Sequence, residues 1–348
     1  MEARPDDERF VRRALLLALL AATGLALWLL LPLLLLVFGA VLVAITLRTL
    51  ARPISAIGVP MRASVVLVIV AAIAMLVAFG LFFGAELARQ SAMLNEQFSS
   101  GLRHWAETLN LQKYNEFLKD IDLPAVVSGV LSWSVTIGQG MLGMVLVIVG
   151  GIYIALNPKP YRDGLLKLVP QSYQANADAT AGDISKALEL WLRGTLLAMV
   201  IIGALTALGL WIAGVPSPIL LGALSGLANF VPYIGSIAAA VLTLTVASAQ
   251  GWETILWAAA AMLVIQQIES NVITPLVVGG AVHILPATGL FAVVAMTMLF
   301  GLPGVLFAFP LAIVADIAIR RLYVRDMLDK PVEILGATAA RSEAEMRR

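Results

Sequence analysis

Long apolar runs, each broken by proline or glycine, are the feature that most limits how this chain can fold. One run extends from Ile219 to Ala249 and another from Leu285 to Ile319. About 20 apolar residues are enough for a helix to cross the hydrocarbon core of a bilayer. Hydrophobic residues make up 60% of the chain and charged residues 13%, whereas soluble domains are about half apolar and one quarter charged. The sequence therefore predicts an all-α, polytopic integral membrane protein.

The polar residues exclude several functional classes. The formal net charge is +1, so no overall field favours nucleic acid as a partner. The chain has no cysteine and only two histidines, His104 and His283, far apart in sequence, which argues against disulfides, thiol nucleophiles and metal centres. The sequence also lacks the motifs of zinc peptidases, serine hydrolases and P-loop NTPases. We expect neither an enzyme nor a bound cofactor or metal.

Hydropathy predicts about eight transmembrane helices, counting the two broken runs. Residues 1–84 are expected to hold spans 1–3, with Ala14–Leu31 and Leu33–Leu47 forming a hairpin that turns near Pro32, followed by Ser64–Gly84. The remaining predicted parts follow in chain order: an external amphipathic helical insert (85–132), span 4 (133–156), a cytoplasmic linker with an interfacial helix (157–190), a C-terminal transport core (191–322) and a cytoplasmic tail (323–348).

Positive charges predict the orientation of these spans. Arginines precede the first span, follow the second, and recur in the tail from Arg320 onward. Since Lys and Arg concentrate in cytoplasmic loops, we expect a multi-pass protein of the bacterial inner membrane with both termini in the cytoplasm.

Three further polar features have structural explanations. The insert at 85–132 alternates charges with apolar residues at helical spacing, which favours an amphipathic cap, with a substrate-collecting vestibule as the alternative. The pattern Gly138-Gln139-Gly140-Met141-Leu142-Gly143 lies inside a span, where small residues let helices pack closely. Asp183 is a candidate N-cap for the helix that leads through Trp191 into the next span.

The first break, Asn229–Gly235, lies in the middle of an apolar run. Pro232 has no amide hydrogen and Gly235 frees the backbone, so the helix should open there. The residues that would offer dipoles to a solute or cation are Asn229, Pro232, Tyr233, Gly235 and Ser236. Interrupted helices near the middle of the membrane are typical of transporter binding sites.

The second break contains Gly301, Pro303 and Gly304. Between the two breaks lies the predicted Ala258–Ile273 helix, which we expect to end before Pro275. This helix carries a polar cluster: Gln266, Gln267, Glu269, Ser270 and Asn271. An intramembrane carboxylate is a functional candidate by default, so Glu269 is assigned to transport or gating, with structural pairing as the alternative. Asp316 and Arg320, four residues apart, are expected to form an ion pair.

Two topologies remain open for the broken runs. Each run could cross the membrane once, or each could form a re-entrant hairpin whose tip meets the other at the midplane. Both arrangements leave the termini in the cytoplasm, and they differ in the side on which the loop bearing His283 lies.

Several ordered motifs between Leu190 and Leu311 resemble the autoinducer-2 exporter family of bacterial membrane proteins, also called PerM-like permeases. They are Leu190-Trp-Leu-Arg-Gly194, Leu210-Trp-Ile-Ala-Gly-Val-Pro216, Leu227-Ala-Asn-Phe-Val-Pro-Tyr-Ile-Gly235, Gln267-Ile-Glu-Ser-Asn271, Pro275-Leu-Val-Val-Gly279, Leu285-Pro286, Gly301-Leu-Pro-Gly304 and Phe309-Pro-Leu311. Thr195, Ser236 and Gly280 depart from the family pattern, where Gln, Pro and Arg are usual or frequent. The missing arginine at Gly280 weakens the case for an anion-binding role of that loop.

The resemblance implies an inner-membrane protein of roughly eight spans. Members are linked to export of autoinducer-2, and others to sodium/proton antiport. We therefore expect a secondary transporter that exports a small polar solute, with a sodium/proton antiporter using Glu269 as the first alternative and a non-transporting membrane scaffold as the second. Expected partners are membrane lipid, the solute or a monovalent cation or proton, and further copies of the chain in a homo-oligomer.

Overall fold

The computed structural model describes residues 5–75, 77–78, 81, 133–232, 234–278, 286–326 and 328. Within these ranges the chain is helical, as the composition predicts. The helices are α1 (Pro5–Ala56), α2 (Met61–Met75), α3 (Trp133–Leu156), α4 (Pro158–Leu166), α5 (Gln171–Ile212), α6 (Pro218–Ala228), α7 (Ile234–Ser248), α8 (Trp252–Ile268), α9 (Pro286–Phe300) and α10 (Leu302–Ala318). Two π-helical extensions, Glu269–Val278 and Ile319–Arg325, follow α8 and α10. The insert predicted at 85–132 and the loop bearing His283 lie outside the described residues.

Helices α6 and α7 form an antiparallel pair, here called the first hairpin. Leu221, near the start of α6, shares a core cluster with Val246 and Ala247 at the end of α7, and with Leu210 at the end of α5. The tip between the arms places Gly235 against the backbone of Ala228. The predicted break is confirmed. The arms hold 11 and 15 residues, about 16 and 22 Å of helix, so each is shorter than the roughly 30 Å hydrocarbon core.

Helices α9 and α10 form the second hairpin, which turns at Gly301. That residue has φ +64°, a left-handed conformation that glycine adopts without strain. Gly304 contacts the backbone of Met296, and Gly289 faces the ring of Phe309, so the two helices run antiparallel. This break is also confirmed. Both broken runs are therefore hairpins rather than single continuous helices.

The two hairpins enter the helix bundle from opposite ends. The open end of the first hairpin lies beside Leu210 of α5. The open end of the second hairpin lies beside Leu188 of α5, where Ile313 and Ile317 of α10 pack. These positions on α5 are about 33 Å apart along the helix axis at 1.5 Å per residue. Helix α8 connects the two hairpins along the chain.

Helix α1 corrects the predicted N-terminal hairpin. It runs without interruption through Pro32, so Ala14–Leu31 and Leu33–Leu47 are one element and the turn predicted near Pro32 is wrong. A proline removes one backbone hydrogen bond and bends a helix, and the leucine-rich sequence on both sides favours helix strongly enough to continue it. α3 packs along α1: a Cβ on Gly143 would lie 3.3 Å from Leu36, and a Cβ on Gly150 3.3 Å from Ala40. The prediction that Gly143 serves helix packing is confirmed.

Helix α5 is longer than predicted. It begins at Gln171, after Pro170, and continues through the boundary predicted at Leu190, so the interfacial helix and the following span are one element. Asp183 lies inside this helix and pairs with Arg321 of the C-terminal extension. The N-cap assigned to Asp183 is therefore wrong, since an acidic residue can satisfy a distant arginine as well as a helix terminus.

Pro275 does not end α8, contrary to prediction. The helix continues from Glu269 to Val278 in π-helical geometry with Pro275 inside it. The wider π turn accommodates the missing amide and the ring without ending the element.

Three helices in the described ranges are long and apolar enough to cross a membrane: Leu29–Ala56, Gln171–Ile212 and Trp252–Ile273. A fourth would be α3 and α4 taken together, from Leu142 to Leu166, although the pair bends by 93° at Asn157.

Candidate functional site

Both arms of the first hairpin, α5, and the second half of α8 with Glu269 line a cavity of about 290 Å³. Its lining is mostly aliphatic, with five polar side chains: Thr206, Ser225, Ser236, Gln266 and Glu269. The cavity exists because the Pro232 region stops α6 short and lets α7 return beside α8. Three of the polar residues, Ser236, Gln266 and Glu269, are among those predicted from sequence.

Ser236 links the helix break to the carboxylate of α8. Its Oγ lies 3.4 Å from Asn229 Oδ1 and 3.5 Å from Glu269 Oε2. A hydroxyl carries one hydrogen and can donate to only one of these acceptors at a time. One acceptor oxygen is therefore always left for another donor or for a cation. The structure thus brings Asn229, Ser236 and Glu269 together, as the transport interpretation requires.

Glu269 is half-buried and has no cationic partner among the described residues. Its recorded side-chain interaction is the contact with Ser236. An uncompensated carboxylate inside a membrane helix is costly and usually serves an ion or substrate pathway. The alternative of structural pairing through an arginine or lysine finds no support in the described part of the chain.

Two cavity residues have no distinguishing signal in the sequence. Thr206 of α5 is 1% exposed and its Oγ1 has no hydrogen-bond partner in the described structure. Ser225 of α6 is buried and donates to Leu221 O at 2.8 Å. Each is a lone hydroxyl in an apolar helix, where such residues often bond to the backbone of their own helix. Only the packing of α5 against α6 shows that both face the cavity.

Three predicted residues lie away from the cavity, on the exposed side of α8 and its extension. Gln267 lines a shallow apolar surface with Leu263 and Val272. The amide of Asn271 donates to Gln267 O at 3.0 Å. Pro275 is exposed. Neighbours in sequence on a helix point in different directions, so the pathway role of these three stays a prediction that this arrangement does not support.

Residues of the first break shape the cavity rather than line it. Pro232 lies in the turn, where its carbonyl accepts a hydrogen bond from the amide of Ile234 at 2.9 Å. Gly235 is buried and allows α7 to approach the end of α6. Tyr233 lies outside the described residues.

Residues of the second break do not reach the cavity. In the described structure Gly301 and Pro303 are exposed, and Gly304 is buried against α9. These three residues shape a helix turn, and their pathway role stays a prediction without support from this arrangement. Beyond the turn, Arg320 Nε donates to Asp316 Oδ1 at 2.9 Å, which is the ion pair that the spacing predicts.

Comparison with known proteins identifies a family of transporters. The profile described as "AI-2E family transporter" matches residues 17–323. The match includes α5, both hairpins and Glu269, and it extends through most of α1.

Individual relatives carry transport names. "Putative transport protein YrrI" of Bacillus subtilis is 30% identical over 143 residues, which are 41% of this chain and 40% of that protein. "Putative transport protein YueF" of the same organism is 27% identical over 145 residues, 42% of this chain and 39% of that protein. A similarly named protein of Mycobacterium tuberculosis is 30% identical over 186 residues, 53% of this chain and 51% of that protein. The chain therefore spans about two fifths to one half of the length of these relatives.

Proposed function

The chain belongs to the AI-2E transporter family, and from this premise we propose that it is a secondary transporter that exports a small polar solute across the bacterial inner membrane. An autoinducer-2-like signal is the solute suggested by the family. The proposal rests on one observation above the others. At the interrupted tip of a helical hairpin, the Ser236 hydroxyl contacts both the amide oxygen of Asn229 and the carboxylate of Glu269, which has no cationic partner among the described residues.

The cavity is suited to a small ligand. Its volume of about 290 Å³ lies at the lower end of the roughly 300–1,000 Å³ of typical ligand pockets. Aliphatic side chains from α5, α7 and α8 would cover carbon atoms of the solute. Glu269 and Ser236 would accept hydrogen bonds from its hydroxyl groups, while Gln266 and Thr206 could donate.

The opposed hairpins support a membrane arrangement in which neither broken run crosses the bilayer. In this proposal the first hairpin enters from the external side and the second from the cytoplasmic side. Their arms are too short to cross, so their tips would lie within the membrane, where broken helix is tolerated against protein or a wet cavity. Displacement of the first hairpin from α8 would expose Glu269 to one side of the membrane.

Substitution of Glu269 by glutamine tests the proposal. Glu269→Gln keeps the size and hydrogen-bonding ability of the side chain but removes its charge. We expect solute flux in proteoliposomes to fall at least tenfold, since a lost charge-assisted hydrogen bond is worth about 1.5–3 kcal/mol. Purified protein should keep its thermal stability, because no described ion pair depends on Glu269.

Glu253→Gln is a matched control on the same helix. Glu253 is exposed in the first turn of α8, so its substitution should leave flux within about twofold, as surface substitutions are usually close to neutral. Equal flux in wild type and Glu269→Gln would remove the carboxylate from the mechanism. No flux of any screened solute or cation through folded wild-type protein would favour the scaffold alternative.

Sodium/proton antiport is the second candidate, and the oxygen chemistry of the site favours it specifically. Glu269, Ser236 and Asn229 present carboxylate, hydroxyl and amide oxygens, with the hydroxyl within 3.5 Å of each of the other two, and hard cations prefer oxygen ligands. In this case an imposed sodium gradient should drive proton movement that Glu269→Gln abolishes. Solute export that is indifferent to sodium would instead support the first candidate.

A further inference from the structure

Two arginines pair with one buried carboxylate that is not among the cavity residues, and a third arginine lies one turn away. Arg52 of α1 and Arg193 of α5 both pair with Oε1 of Glu189, the second at 2.7 Å. Arg48 lies one turn before Arg52, and its Nη1 donates to the backbone oxygen of Ala155, at the end of α3, at 2.9 Å. The arginine cluster, as we call Arg48, Arg52 and Arg193, thus joins three helices.

The arginine cluster carries more positive charge than its carboxylate can neutralise. Three guanidinium groups against one Glu189 leave two positive charges uncompensated within the group. Arg48 and Arg52 face each other at i, i+4 spacing and repel one another. Such an arrangement is stabilised when an anion binds between the guanidinium groups.

The free donors of the cluster point outward. The side chain of Glu189 is 7% exposed, whereas those of Arg52 and Arg193 are 53% and 43% exposed. A guanidinium has five N–H donors, and one oxygen of Glu189 engages only part of each set. The planar fork of the remaining donors matches the oxygens of a phosphate group.

The cluster lies at the level where the helices change from apolar to polar. After Arg193, helix α5 has no charged residue up to Ile212. Helix α3 ends at Leu156, next to Ala155, and the apolar part of α1 ends at Arg48. Arginines at the ends of apolar spans extend toward lipid headgroups.

We propose that the arginine cluster binds a phosphate-bearing anion, the headgroup of an acidic phospholipid in the leaflet at which the apolar part of α1 and helix α3 end. Basic pockets between membrane helices on that side are physically suited to acidic headgroups. The bound lipid would join α1, α3 and α5, of which α5 packs against the first hairpin. The assignment goes beyond solute transport and does not depend on Glu269.

Thermal unfolding of full-length protein in a neutral detergent tests the assignment. Phosphatidylglycerol, phosphatidylcholine with the same acyl chains, and inorganic phosphate would be titrated separately. We expect phosphatidylglycerol to raise the Tm of the wild type, with little effect of the other two. In Arg48→Gln the half-saturating concentration of phosphatidylglycerol should rise about fivefold, as expected for loss of one arginine near an anionic lipid.

Arg162→Gln is the control of equal charge change. Arg162 is exposed on α4 and pairs with Asp178, so phosphatidylglycerol should stabilise this variant as it does the wild type. Arg193→Gln, which leaves Glu189 paired with Arg52, replaces Arg48→Gln if the latter does not fold.

Equal stabilisation of wild type and cluster variants would overturn the proposal, and so would equal effects of the two lipids. Stabilisation by inorganic phosphate that the cluster variants lose would also overturn the lipid assignment, in favour of a soluble anion.

Discussion

The two hairpins are built alike and differ in what meets their tips. Each consists of two short antiparallel helices that turn at a Pro- and Gly-containing break, and each has a glycine packed against the backbone of the opposite arm. At the first hairpin, Ser236 contacts both Asn229 and the carboxylate of Glu269, which follows α8. At the second, Gly301 and Pro303 are exposed and no described ion pair or cavity includes them.

This difference shows that the residues that make a hairpin turn are not sufficient to make a functional site at its tip. Proline and glycine determine where an apolar run turns, because they remove a donor or relax the backbone. They do not determine whether polar groups gather there. At the first hairpin a second element, α8, supplies the charged partner, and α5 supplies the hydroxyl of Thr206.

The largest loss of stability is expected from substituting the glycine that both hairpins pack against the backbone of the opposite arm. A Cβ at Gly235 would collide with the backbone oxygen of Ala228, and one at Gly304 with that of Met296. Backbone cannot move aside as a flexible side chain can, so Gly235→Ala and Gly304→Ala should each lower stability by about 3 kcal/mol or more. The measurement is the yield of monodisperse protein and its Tm in detergent.

Gly164→Ala is the control for this pair. Gly164 lies in α4, and no atom lies within 4 Å of the position that an added Cβ would take. Alanine should therefore stabilise the protein by about 0.5–1 kcal/mol through its helix propensity. If Gly304→Ala keeps its stability while Gly235→Ala does not, the arms of the second hairpin are less tightly packed than those of the first. The two hairpins are then not built alike.

A smaller effect is expected where the hairpins differ. Ser236→Ala removes the hydroxyl that contacts Asn229 and Glu269, so we expect flux to fall about tenfold, as for loss of a hydrogen bond to a charged group. Thr297→Val removes a hydroxyl from the second hairpin that donates to Val293 O of its own helix at 2.7 Å. That variant should transport within about twofold of wild type. Equal losses in the two variants would assign both tips to the pathway.

The sequence predicts where the helices break better than it predicts whether each broken run crosses the membrane or turns back. An apolar composition, a proline and a glycine are local signals, and they correctly indicate an all-helical membrane protein interrupted at Asn229–Gly235 and at Gly301. Whether a broken run crosses or turns back depends on packing between arms that are distant in sequence. The close approach of Gly289 to Phe309 has no signature in the residues on either side of it.

Proline alone is a weaker guide at two other positions. Pro32 and Pro275 both lie inside continuing helices, although the sequence predicts that a helix ends at each of them. The helix survives because one lost hydrogen bond can be offset by the apolar helix around it or by a local π turn. At the first break a proline acts together with Asn229 and Gly235, and at the second with Gly301 and Gly304; there the helix does end.

The smallest effect distinguishes the cavity from ordinary core around it. Thr206 and Thr243 are both fully buried, and neither hydroxyl has a hydrogen-bond partner within the described structure. Thr206 lines the cavity, whereas Thr243 of α7 is not among the cavity residues. Replacement by valine keeps the shape of each side chain and removes the unpaired hydroxyl.

Thr243→Val should therefore raise stability by about 1 kcal/mol, since an unsatisfied buried hydroxyl is replaced by a methyl group. It should leave transport unchanged. Thr206→Val should instead raise the half-saturating solute concentration about threefold, because a hydroxyl facing a wet cavity is satisfied by water or solute and contributes about 0.5–1.5 kcal/mol to binding. Both values follow from one flux series and one thermal melt per variant. If Thr206→Val gains stability and keeps its solute affinity, the space beside Glu269 holds neither water nor solute. The first hairpin would then have no better evidence for a role in the transport pathway than the second.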